Sequence, residues 1–210
     1  MKPPHFILLL IILQTLHHLP VILAVKYVAI NDAKNYPGGK RFEKEIGIPY
    51  TLQIMKDINH YIWEIFQQKI ESDRKQVGIA TVFIRQYDGA EAITYGETVN
   101  VSALYLQGYQ GNLKWEYTSL LHHELTHVFQ WDGKGQAPVG LIEGMADYMI
   151  LGYDFTARFL EYCEGLEPGF VAALSKKMRH NFSENFFVEL LGKPVAQLWS
   201  EYKAKYGNIK

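Results

Sequence analysis

Two hydrophobic rhythms run along the chain. Val25 to Asn31 (VKYVAIN) alternates and is rich in β-branched side chains, the pattern of a half-buried strand. Pro37-Gly38-Gly39 then reads as a turn. From Thr51 to Ser72 the period lengthens. Met55, Ile58, Ile62, Ile65 and Phe66 share one helical face. Gly78 to Arg85 (GIATVFIR) predicts a buried strand, and Asp88-Gly89 a hairpin-type turn. Ala92 to Tyr95 and Thr98 to Leu104 predict two more strands on either side of Gly96. The rest is helical. One helix runs from about Trp115 to Trp131 and stops at Asp132-Gly133. A second spans about Leu141 to Leu151. Thr156 to Cys163 and Phe170 to Met178 follow, then Glu184 to Leu191 capped by Ser183. Pro194 opens the last helix, through Tyr206. A small early sheet with helices after it is an α+β fold around one core. No linker divides residues 25–210.

The first two dozen residues differ in kind. Lys2 precedes a mostly apolar stretch, Phe6 to Leu23, and then the small residue Ala24. That order predicts a signal peptide over residues 1–24 and a secreted chain. His17, His18 and Pro20 interrupt the apolar run and argue against a stable membrane span. Asn100-Val101-Ser102 and Asn181-Phe182-Ser183 are glycosylation sequons, consistent with an extracellular route. Cys163 is the single cysteine and is expected as a buried apolar residue, not a reactive thiol. The formal net charge of -1 leaves no basic field for nucleic acid. A monomer acting on a peptide or protein substrate is the expected state.

The chemistry lies in His123-Glu124-Leu125-Thr126-His127. Two His four apart on a helix share a face, one turn apart, and can bind one zinc ion as neutral imidazoles. Glu124 then sits beside the metal, where it can take a proton from an attacking water. Leu121, Leu125 and Val128 fall on another face and would anchor the helix. Such a motif arises by chance in roughly two chains per hundred of this composition, so its surroundings matter. A third protein ligand is needed. The other His outside the leader are His60, His122 and His180. His122 points about a quarter turn from His123, and His180 lies in a polar turn, with surface exposure the expectation for it. A metzincin-type arrangement would want Gly at 130 and His at 133; Gln130 and Gly133 stand there. Glu143, sixteen residues after His127, opens a second helix that could return across the first. It is the preferred third ligand, with Asp132 as the alternative. Asp147, one turn beyond Glu143, could accept a hydrogen bond from a ligand imidazole. Tyr153 is a candidate donor to the developing oxyanion. Thr98 to Ala103 is a candidate edge strand for an extended peptide.

From Val25 onward the chain resembles the plant basic secretory proteins, also called basic secretory proteases, a family of peptidases of plants and bacteria. The strongest stretch is His122 to Tyr148, HHELTHVFQWDGKGQAPVGLIEGMADY. Asn100 to Gly108 (NVSALYLQG) and Phe182 to Tyr206 (FSENFFVELLGKPVAQLWSEYKAKY) also fit. The resemblance implies a secreted zinc metallopeptidase of the apoplast or cell wall, linked to plant defence, with a zincin-like, gluzincin-type fold. Carried over by position, His123 and His127 would be ligands and Glu124 the catalytic base; Glu143 as third ligand follows the gluzincin analogy. This chain departs from the family pattern in two ways. It is not basic. Its Ala146 to Leu151 segment runs almost directly into Gly152-Tyr153-Asp154, where related proteins have a longer connector. The second departure keeps an alternative open: a secreted binding or defence protein that retains the zinc helix as scaffold and does not cleave.

Overall fold

The structure, a computed structural model, describes residues 24–150 and 155–207. The expected signal peptide, apart from Ala24, therefore lies outside the described residues, as does Tyr153. The architecture is α+β, with a small mixed sheet and a helical majority. In chain order come β1 (Lys26–Asn31), α1 (Pro37–Glu45), α2 (Ile48–Ile65), β2 (Ile79–Arg85), β3 (Ala92–Tyr95), β4 (Thr98–Ser102) and α3 (Ala103–Gly108). Among the described residues six helices follow: α4 (Leu113–Phe129), α5 (Val139–Tyr148), α6 (Phe155–Leu166), α7 (Phe170–Lys177), α8 (Asn185–Leu191) and α9 (Val195–Tyr206).

The strands lie in the order β1-β2-β4-β3. β1, β2 and β4 are parallel, and β3 returns antiparallel to β4 through Gly96, at φ +59°. The alternation in GIATVFIR resolves as expected. Ala80, Val82 and Ile84 are buried, with Val99 and Val101 of β4 beside them. α2 packs on β1 and on α4, and its Met55, Ile58 and Ile62 are fully buried. Among the described residues, no helix is long and apolar enough to cross a membrane.

Three local expectations change. Pro37-Gly38-Gly39 opens α1 instead of forming a turn. Proline suits the first turn of a helix, where its missing N–H is not needed. The two glycines answer to crowding: a Cβ on Gly38 would strike the Ala103 backbone, and one on Gly39 the Ala33 backbone. Asp88-Gly89 is not a hairpin turn, because β2 pairs with β1 and β4 and not with β3. The edge strand next to the helix Leu113–Phe129 is β3; the expected edge, Thr98 to Ala103, supplies the interior strand β4 and the start of α3. Sequence periodicity finds strands but is silent on which neighbour each one pairs with.

The two sequons fare differently. Asn181 is exposed in a loop. Asn100 is half-buried in β4, where its Oδ1 accepts from Arg85 at 2.8 Å. That is not the exposed loop a glycan favours.

α4 carries Leu121, Leu125 and Val128 fully buried, as its spacing predicts. Leu125→Ala is expected to lower unfolding free energy by about 2–5 kcal/mol in urea titration; a loss below 1 kcal/mol would mean the helix is not anchored there. Cys163, on α6, is fully buried, and burial pushes its thiol up to about 12. The thiolate is the reactive form. Cys163 should therefore resist a disulfide reagent at pH 8 in the native protein and react promptly in denaturant.

Candidate metal centre and cleft

Asn112 starts α4, accepting at Oδ1 from the Trp115 N–H at 3.1 Å. The apolar row Leu113, Tyr117, Leu121, Leu125 and Phe129 faces the core. With that face fixed, His123, Glu124 and His127 turn toward a cleft beneath β3. After α4 the chain reverses through Gly133, Lys134 and Gly135, all at positive φ (66°, 57° and 75°). Gly133 also donates to the Met178 carbonyl at 2.8 Å, and a Cβ there would meet Phe182 and the Asn181 backbone. Pro138 then leads into α5, which packs against α4.

This crossing brings three side chains together. His123 Nε2 lies 3.1 Å from His127 Nε2 and 3.2 Å from Glu143 Oε2. His127 Nε2 lies 3.4 Å from the same Glu143 oxygen. One ligand atom from each of the three residues falls within 4.8 Å of the others, so the group could hold a metal ion. Asp132 is not part of the group; it lines the cleft nearby.

Asp147, one turn beyond Glu143, accepts from His123 Nδ1 at 2.8 Å. A carboxylate can only accept, so it holds the proton on Nδ1 and leaves Nε2 free for the cluster. Gln130 contacts the second ring through a different group. Its Nε2 sits 2.8 Å from His127 Nδ1 and 3.3 Å from the Ile142 carbonyl. Burial holds the His127 imidazole below its usual pKa, with His123 adding to the effect, which favours the neutral ring that binds metal. Burial pushes the Glu124 carboxyl above the usual carboxylate range. Thr94 and His123 pull it back, and Glu143 adds to the rise. The Thr94 hydroxyl reaches Glu124 Oε2 at 2.5 Å from β3.

Two cavities flank Glu124. One, of about 430 Å³, is lined by Lys75, Thr94, His127, Asp132 and Glu143 among others. The other, of about 350 Å³, lies toward Glu91, Glu116, Ser119 and Asp147. Lys75 rises from the loop before β2, and its Nζ reaches the His127 carbonyl at 3.4 Å. Burial lowers its pKa, against the pull of Asp132 and Glu97.

Other expected residues lie elsewhere. His122 contacts the Thr118 carbonyl at 2.9 Å and packs its ring on Tyr61, away from the cluster. His180 is exposed. Thr94, Lys75 and Gln130 were not found as site residues from sequence. Thr94 and Lys75 lie 30 and 52 residues before the α4 residues they touch, Glu124 and His127. Gln130 alone left a signal, since it sits three residues after His127 inside the run shared with the family.

These features define a class of small α+β proteins with a carboxylate-and-imidazole cluster beside an edge strand. The chain belongs to the basic secretory protein family, whose family model is described as peptidase of plants and bacteria and matches residues 23–152 and 149–202. The two matched stretches meet just after α5. The basic secretory protease of Boswellia serrata is 50% identical over 56 residues, 27% of this chain and 62% of that protein. The chain thus covers less than two thirds of that relative's length. No solved structure matches.

If Asp147 orients His123, Asp147→Ala should weaken metal binding about 10- to 100-fold in competition with a chromophoric chelator. Unchanged affinity would remove Asp147 from the site.

Proposed function

We propose that the protein is a secreted zinc-dependent peptidase with a zincin-like, gluzincin-type centre formed by His123, His127 and Glu143. The observation that carries this reading is the convergence of two imidazole nitrogens and one carboxylate oxygen, 3.1–3.4 Å apart. Ligand atoms around a tetrahedral zinc ion stand about 3.3 Å apart, given bonds of about 2.0–2.1 Å. The donor set therefore fits zinc, and the arrangement leaves a side open to the cleft.

A zinc ion held there would supply Lewis-acid polarisation of the scissile carbonyl and acidify the attacking water. The chain's own residues would do the rest. Glu124 accepts the water's proton and delivers it to the departing amine. Thr94 fixes the Glu124 carboxylate through its hydroxyl. The free edge of β3 offers backbone groups to an extended peptide, which would cross both cavities in front of Glu124. Secretion is supported by the Lys2 to Ala24 pattern and by the relative's name. The link to plant defence comes from the family resemblance.

One observation favours a second reading, a binding protein on the same scaffold: the family match falls into two stretches that meet at residues 149–152. A single experiment separates the two. Purified protein is assayed for zinc content and for chelator-sensitive cleavage of a peptide library, beside Glu124→Gln. The peptidase reading expects Glu124→Gln to keep its zinc and lose about 10²- to 10⁴-fold in cleavage rate. Equal cleavage by the variant would sink the mechanism, and zinc-loaded wild type without cleavage would favour the binding protein.

A further inference from the structure

Two imidazoles in the cluster are held by different chemistry. His123 Nδ1 faces a carboxylate, which can only accept. His127 Nδ1 faces the amide nitrogen of Gln130, which can only donate. Gln130 is 1% exposed, and its Oε1 is buried with no partner among the described residues. Its Nε2 also reaches the Ile142 carbonyl at 3.3 Å, in the residue just before Glu143. One amide therefore touches a ligand ring from α4 and the backbone beside a ligand from α5.

The orientation has a consequence for His127. With the amide nitrogen on Nδ1, that ring nitrogen must accept, and the proton sits on Nε2. Nε2 is the atom that faces His123 and Glu143. A ring protonated at Nε2 has no lone pair there to offer a metal. We propose that Gln130 is the positioning residue for His127, and that its amide turns over on metal binding. The turn brings Oε1 onto Nδ1–H and frees the Nε2 lone pair. It ends the orphaned state of Oε1 and takes the amide donor from Ile142. With its amide nitrogen on Nδ1, Gln130 thus opposes metal loading until that amide turns, whereas Asp147 favours loading throughout. The inference rests on the metal-site reading above.

The test uses Gln130→Met, close in size and without a fixed donor, and Gln130→Glu, which can only accept. In metal-free protein with ¹⁵N-labelled histidine, NMR at a pH where the rings are neutral reports the proton position. Wild type should show His127 protonated on Nε2, Gln130→Met should lose that preference, and Gln130→Glu should move the proton to Nδ1. Chelator competition should then show Gln130→Glu binding zinc at least as tightly as wild type. Gln130→Met should fall below Gln130→Glu by about 10- to 100-fold, the usual cost of losing a partner to a ligand ring. A merely structural role would make both variants lose equally and leave the tautomer unmoved; either result overturns the inference. Thermal melts establish that each variant is folded, and Gln130→Ala replaces Gln130→Met if it is not. A wild type that takes up no zinc fails the metal reading, and the metal-free tautomer then decides the role of Gln130 alone.

Discussion

The meeting of Glu143 with the paired edges of His123 and His127 is the contact on which the rest depends. Two imidazole nitrogens and one carboxylate oxygen stand 3.1–3.4 Å apart in a partly buried cleft. Such atoms repel unless a proton or a cation lies between them. Solvent cannot fully relieve them, because the His123 and His127 side chains are only 20% and 15% exposed. A metal ion held there would satisfy all three with the donor types it prefers.

The fold holds the contact by fixing two helices independently and then forcing them to cross. α4 is fixed by its apolar row against α2 and the sheet. α5 is fixed from the other side by α6, so closely that a Cβ on Gly144 would strike Thr156. Between them, three successive residues at positive φ reverse the chain in the shortest distance. Trp131 ties the start of this reversal to the Asp73 carbonyl at 3.2 Å. Glu143 and Asp147 then reach His123 from one face of α5, a turn apart.

The sheet contributes the other wall. β3 lies at the edge, and its Thr94 touches Glu124 while no described strand pairs with its outer side. One short strand thus joins Glu124 to the surface where a peptide backbone could pair. Lys75 enters the same cleft from the loop before β2 and adds a cation to a wall otherwise rich in carboxylates.

The sequence by itself determined most of the elements, though not α1 or α3, and part of the candidate site. The period of 3.6 placed Leu121 and Leu125 inside, and that alone put His123 and His127 together on the other side. Spacing also favoured Glu143 over Asp132 and put Asp147 on the Glu143 face, because a helix repeats its faces every turn; that Asp147 meets His123 and not His127 is decided by the crossing of the two helices. Strand pairing was not legible: the interior place of β4, the edge place of β3 and the closure of Gly38 and Gly39 against other backbones depend on contacts between distant segments. The same holds for Thr94 and Lys75, which reach the α4 helix only through the sheet and the loop before it. Gln130 lies between the two cases. Its position beside His127 is local, but the buried amide that joins His127 to Ile142 exists only after α5 has folded back. Local periodicity decides which residues share a face, and only tertiary packing decides which faces meet.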